Sequence, residues 1–217
     1  QKEKSEEMGL TETEVKEHIA KGEALKAQGN EYFKQGQPRE ALKYYTKIFL
    51  WVNHLNSGPY GGTQMFEDVE KHVTLSSEQQ TTINALRVSA NLNCAISYFK
   101  LDDYTRSLNF CNRALEVEPG HPKAHLRRGQ VLLRLNNLDD AAADLEIAKA
   151  AFPTDRSLRQ DLILLKKKQK AEEEKVRKRF AGIFDRMAMH DSGDDEKQSE
   201  ETEDDNNKES DADVSMQ

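Results

Sequence analysis

The feature that most constrains this chain is self-similarity at a spacing of 34 residues. Pro119 and Pro153 stand 34 apart, each just after an apolar helical pattern. With Val88 and Pro122 as first positions, residues 88–121 and 122–155 superpose. Position 8 is small in both (Ala95, Gly129) and position 11 large (Tyr98, Leu132), while positions 24 and 27 agree in kind (Cys111 with Leu145, Ala114 with Ala148). Counting from Gly22 finds a third copy, with Gly29 at position 8, Tyr32 at 11, Ala41 at 20 and Tyr45 at 24. A helix pair this short cannot bury its own apolar face and must stack on its neighbours. The sequence therefore predicts an all-α helical solenoid whose curvature makes a concave groove lined by the first (A) helix of each pair.

The periods predict helices over 12–34 and 38–55, 77–101 and 104–117, and 122–135 and 138–151. Asp102–Asp103 and Asn136–Asn137 mark turns. The register breaks once: the first copy ends near Leu55 and the second begins at Val88, so 56–87 is an insertion, turn-rich at NSGPYGGT and helical again from a serine cap at SSEQQTTINAL. The repeat domain is thus expected to occupy 1–155, with repeats 22–55, 88–121 and 122–155. After Pro153 the apolar spacing of Leu158, Leu162 and Leu165 predicts a long seventh helix over 156–190, its first turns capping the open edge of the third repeat. Residues 191–217 carry twelve Asp or Glu against Lys197 and Lys208 with no apolar period, and are expected to be disordered.

Charge narrows the function. The tail's balance of −10 against −7 for the whole chain leaves residues 1–190 at +3, too little for a field that tracks phosphates, so nucleic acid is not an expected partner. The apolar run IFLWV is too short to span a bilayer, so no membrane is expected either. Gln1 stands where an initiator Met would, and no charged-then-apolar leader follows, so the sequence reads as a piece of a longer chain. Two cysteines do not make a secreted disulfide framework, and a reducing cytoplasm, or the nucleus, is expected. Cys94 and Cys111, at positions 7 and 24 of one repeat, fit buried free thiols better than a redox pair. His121 and His125 lack a third ligand, GPYGG lacks the Lys and hydroxyl of a phosphate loop, and no nucleophile–base pair stands out. No metal, no cofactor and no catalytic residue is assigned.

In this acidic chain, cations and amides recur on the A helices. Lys26 and Asn30 hold positions 5 and 9 of the first repeat, Asn93 position 6 of the second, and Lys123 and Arg127 positions 2 and 6 of the third. The i, i+4 spacing of Lys26 with Asn30 and of Lys123 with Arg127 puts each pair on one helix face, bordering the groove. Three cations and two amides, with no carboxylate in the set, suit a ligand with more than one carboxylate. The 34-residue pattern resembles the tetratricopeptide repeat (TPR), and KAQGN, SANLNCAISY and KAHLR resemble the carboxylate-clamp TPR domains. That resemblance implies that Lys26, Asn30, Asn93, Lys123 and Arg127 hold the C-terminal EEVD peptide of heat shock protein 90, or of heat shock protein 70. The other reading is a scaffold whose groove takes another acidic peptide or the chain's own acidic tail.

The opening EKSEEMGLTETEVKEHIAKGEALKAQGNEYFKQG, the insertion and KVRKRFAGIFDRM resemble the C-terminal part of large immunophilins, FKBP-type ones nearest and cyclophilin-type ones close. The resemblance covers residues 1 to 190 and implies a co-chaperone whose peptidyl-prolyl isomerase domain precedes Gln1. Val176, Phe180, Ile183, Phe184 and Met187 form an apolar stripe beside Lys175, Arg177, Lys178 and Arg179, a pattern shared by calmodulin-target helices and by helices that pack against a second copy.

Overall fold

The computed structural model describes residues 11–55 and 75–194, with side chains left aside at His54 and 184–194. Seven α-helices and one short 3-10 turn are present among the described residues: α1 (Glu12–Lys34), α2 (Pro38–Val52), the 3-10 turn Asn53–Leu55, α3 (Ser77–Lys100), α4 (Tyr104–Val117), α5 (Pro122–Arg134), α6 (Leu138–Ala151) and α7 (Arg156–Asp194). Consecutive helices pack as antiparallel pairs, and the pairs stack into a helical solenoid. None of these helices is long and apolar enough to cross a membrane.

Local chemistry sets the boundaries. Thr11 and Ser76 each close a capping box, with Glu14 and Gln79 returning the hydrogen bond, and Pro38 and Pro122 start α2 and α5 where a missing N–H goes unnoticed. Each helix pair turns at position 15 of its repeat, where Gly36, Asp102 and Asn136 adopt left-handed φ of 75°, 58° and 61°. Glycine, aspartate and asparagine tolerate that region best, so the three repeats solve one turn in three compatible ways.

Position 8 is where the helices of a pair touch. A Cβ on Gly29 would lie 2.5 Å from the Tyr45 ring, and one on Gly129 2.8 Å from Leu145; both contacts join position 8 to position 24. In the middle repeat Ala95 and Cys111 share a core cluster at the same two positions. Gly129→Val should therefore cost about 1–3 kcal/mol through overpacking, while Gly120→Ala, with nothing within 4 Å, should stay within about 0.5 kcal/mol, as read by thermal denaturation.

The first core joins α1, α2 and α3 through Val15, Tyr45, Ile48, Val52, Leu55, Ile83 and Leu86. Much of it lies outside the 34-residue register, where the first turns of α1 and of α3 run on past the repeats and pack together. The predicted helix to residue 55 ends instead at Val52 and tightens into the 3-10 turn, which carries Leu55 into this core. The 56–74 part of the insertion lies outside the described residues.

A compact unit ends at Lys166, so the first turns of α7 belong with the repeats. Leu158 and Leu165 are buried against Leu133, Leu145 and Ala148 of α5 and α6, which closes the edge of the third pair. The second unit begins at Lys167 and continues α7 to Asp194, four residues beyond the expected helix end at 190 because no proline interrupts 191–194. The remainder of the tail expected to be disordered lies outside the described residues. Within this unit Val176, Phe180 and Ile183 are exposed; the side chains of Phe184 and Met187 are outside the description.

Cys94 and Cys111 are free and fully buried, and burial pushes both thiols from an ordinary value of 9.0 up to about 12. Alkylation by iodoacetamide at pH 8 should proceed no faster than the chain unfolds. Between pH 9 and 12 the unfolded thiols ionise and the folded ones do not, so their contribution to stability, complete below pH 9, is lost across that window. Rapid labelling of native protein at either cysteine would contradict this packing.

Candidate functional site

Four of the five clamp residues meet in one place. Asn30 from α1, Asn93 from α3, and Lys123 and Arg127 from α5 line a cleft of about 220 Å³, joined by Phe33, Leu92, Ile96 and Tyr45. Asn30 and Asn93, 63 residues apart, are in contact: the Asn93 Nδ2 donates to Asn30 Oδ1 at 3.3 Å. The same oxygen accepts from the Tyr45 hydroxyl at 2.9 Å. With its oxygen taken by two donors, Asn30 is left with its N–H groups to offer a ligand.

The core explains how Tyr45 reaches this position. It stands on α2, and its ring lies where Gly29 has no side chain. Tyr45 is 1% exposed, and burial first, then the neighbouring Cys94, pushes its phenol up to about 12, so it remains a hydrogen-bond donor throughout the neutral range. Position 8, position 24 and the Asn30 amide are thereby one mechanical unit.

The cations are not equivalent. Lys123 is exposed and makes no ion pair with any described residue. Arg127 is half-buried, donates to Gln130 Oε1 at 2.9 Å, and burial lowers its guanidinium from its ordinary value. Gln130 in turn donates to Asp161 of α7 at 2.8 Å, and burial raises the carboxyl of that aspartate. Lys26 does not line the cleft; it lies one turn earlier on α1, paired with Glu23. The expectation of a cation set with no carboxylate nearby is therefore corrected at both ends of the groove: Glu23 meets Lys26 at i, i+3 spacing on the same helix, and Asp161 arrives from a helix that the repeat register does not include.

Phe33 and Ile96 stand three residues after Asn30 and Asn93, so their place beside the amides follows from helical spacing. Tyr45 and Asp161 could not be found that way, because each enters from another helix. His121 caps α5 through its Nδ1, and His125 is held between Asp144 and the Pro119 carbonyl. No cluster of three or more metal-ligating side chains occurs among the described residues.

Chemically, the cleft offers the ammonium groups of Lys123 and of Lys34, the latter paired with Glu31, together with a guanidinium and two amides, with aromatic and aliphatic side chains beside them. It can hold an extended peptide by its anionic end while an apolar residue rests on Phe33 and Ile96.

The tetratricopeptide-repeat family matches residues 92–156. The Mus musculus peptidyl-prolyl cis-trans isomerase FKBP4 is 27% identical over 172 residues, which is 79% of this chain and 34% of that protein. Among solved structures, the C-terminal TPR-containing domain of a Plasmodium falciparum FK506-binding protein superposes with a TM-score of 0.60 at 22% identity, covering 74% of this chain and 95% of that one. The first TPR of Spaghetti (RPAP3), bound to the HSP90 peptide SRMEEVD, superposes with a TM-score of 0.51 at 24% identity, covering 71% of this chain and 98% of that one. At these identities the structural likeness establishes the fold.

Proposed function

We propose, from the premise that the chain carries a tetratricopeptide-repeat domain homologous to FKBP-type isomerases, that its groove is a receptor for the C-terminal EEVD peptide of heat shock protein 90, an ending that heat shock protein 70 shares. One observation carries the reading: two amides and two cations from A helices of three different repeats converge on a single cleft, with Lys123 unpaired among the described residues. A terminal and a side-chain carboxylate of one peptide would take Lys123, Asn30 and Asn93, while Arg127 gives its fork to an acidic side chain. Lys26 would join after exchanging Glu23 for the ligand.

The reading is tested by following the side-chain amide signals of Asn30 and Asn93 while a MEEVD peptide is added. Saturable shifts at both are expected, with none from a peptide of the same composition ending in a neutral residue. Shifts confined to other residues would reject the cleft as the peptide site.

We further assign this module to a co-chaperone in which an isomerase accompanies the groove, working in the cytosol and also the nucleus. The isomerase activity in the relatives' names belongs to proteins of which this chain spans about a third. A second binding surface is proposed on α7, because Val176, Phe180 and Ile183 stand exposed beside four basic residues. Calcium-loaded calmodulin should protect residues 175–189 from hydrogen exchange. The absence of calcium-dependent protection would leave the stripe to packing against a second copy.

A further inference from the structure

A second cleft, of about 500 Å³, opens between α2, α3 and α4, and none of its lining residues is shared with the peptide groove. Its floor is Arg87, which is 6% exposed. Its side chain makes one hydrogen bond, to the neutral Asn53 Oδ1 at 3.3 Å, and no carboxylate among the described residues lies within ion-pairing distance. Arg128, by contrast, a partly exposed arginine, is held by Asp144 at 2.6 Å. An arginine does not escape burial by losing its proton, so Arg87 is a desolvated charge with no counter-ion among the described residues.

A neighbouring polar group is also unsatisfied, although as an acceptor that a hydroxyl or water would meet rather than an anion. Asn91, one turn along α3, is 5% exposed; its Nδ2 donates to the Arg87 carbonyl at 3.0 Å while its Oδ1 has no partner among the described residues, a condition uncommon in native interiors. Across the cleft Arg113 of α4 lies over the Phe110 ring, 5.2 Å from its centroid, and also makes no ion pair among the described residues. Glu116, one turn further and exposed, is the one carboxylate among the described residues that line the cleft, and it pairs with neither arginine. Burial lowers the Arg87 guanidinium from its ordinary value, in keeping with a charge that lacks a balancing anion.

We propose that this cleft binds a phosphate group, free or carried by a small ester, between Arg87 and Arg113, with the side-chain amides of Asn53 and Asn84 as neutral partners. Two guanidinium forks from different helices can share a phosphate's terminal oxygens, whereas a carboxylate is satisfied by one fork. The cleft is larger than a bare phosphate and falls in the size range of small-molecule sites, so it has room for an attached body.

The test uses the chain as it stands, titrated with inorganic phosphate, with ribose 5-phosphate, and with chloride at matched ionic strength, and followed by the Arg87 side-chain N–H and Asn84 side-chain signals. Saturable shifts with phosphate but not chloride are expected, and tighter binding of the ester would identify the source as a small molecule rather than the free ion. Because Arg113 is exposed, Arg113→Gln should fold normally, bind phosphate about 10-fold more weakly and bind MEEVD unchanged. Arg87→Lys, which keeps the charge and loses the fork, should also weaken phosphate. Shifts that chloride reproduces, or an Arg113→Gln protein that binds phosphate as tightly as wild type, would overturn the proposal.

Discussion

Asp144→Ala should be among the most destabilising single substitutions in this protein, at about 3–5 kcal/mol. Asp144 is 1% exposed and accepts from Arg128 Nε at 2.6 Å, from the second arm of the same guanidinium at 2.8 Å, and from His125 Nδ1 at 2.8 Å. The ring's other nitrogen faces the Pro119 carbonyl at 2.9 Å, so one carboxylate fixes α5 to α6 and, through His125, to the turn that leads from α4. Removing it leaves a partly buried guanidinium and a buried imidazole facing a void, a penalty larger than the pair's net worth when intact. For a chain of this size the midpoint of thermal unfolding should fall by roughly 6–20 °C. Glu146→Ala, two residues along the same helix but exposed, should change stability by less than about 0.5 kcal/mol. Equal midpoints for the two variants would show that the network does not hold the third repeat together.

The second large effect is on binding. Lys123→Ala and Arg127→Ala should each weaken a peptide ending in EEVD by about 10- to 100-fold, because each leaves a ligand carboxylate without its charged partner. Their side effects should differ. Lys123 is exposed and unpaired among the described residues, so its removal should leave stability unchanged; Arg127 is half-buried and bonded to Gln130, so its removal should also loosen the contact with Asp161. Lys26→Ala should cost less than either, since Glu23 already offsets that ammonium, and Glu23→Gln should tighten binding slightly by releasing it. Tyr45→Phe should weaken binding modestly, because Asn30 would lose one of the two donors that orient its amide.

The fold was legible because the signals are local and repeated. The predicted helices 104–117 and 138–151 match α4 and α6, and α3 and α5 end within a residue of expectation, because caps, prolines and left-handed turn residues act within a few positions of themselves. Helix spacing also put Lys123 with Arg127 and Lys26 with Asn30 on shared faces. Contacts set by the stacking of helices were not legible. Tyr45 reaches Asn30 through a gap at Gly29, Asp161 reaches Arg127 through Gln130, and Lys26 stands outside the cleft that the other four residues line. Asp144 was hidden for the same reason: in AAADLEIAKA it reads as a surface acid between core positions, and only the approach of α5 makes it buried.

The account rests on the groove recognising a free peptide terminus, and the measurement that tests it most directly is calorimetric titration of wild type and of the Lys123→Ala, Arg127→Ala double variant. Each is titrated with MEEVD bearing a free terminal carboxylate and with the same peptide amidated. Amidation should weaken wild type by about 10-fold or more, while the double variant should bind both forms weakly and without distinction. Added salt should weaken the wild-type complex, because the cleft is open to solvent. Wild type binding the free and amidated peptides equally, or a folded double variant that binds the free terminus as tightly as wild type, would contradict the account.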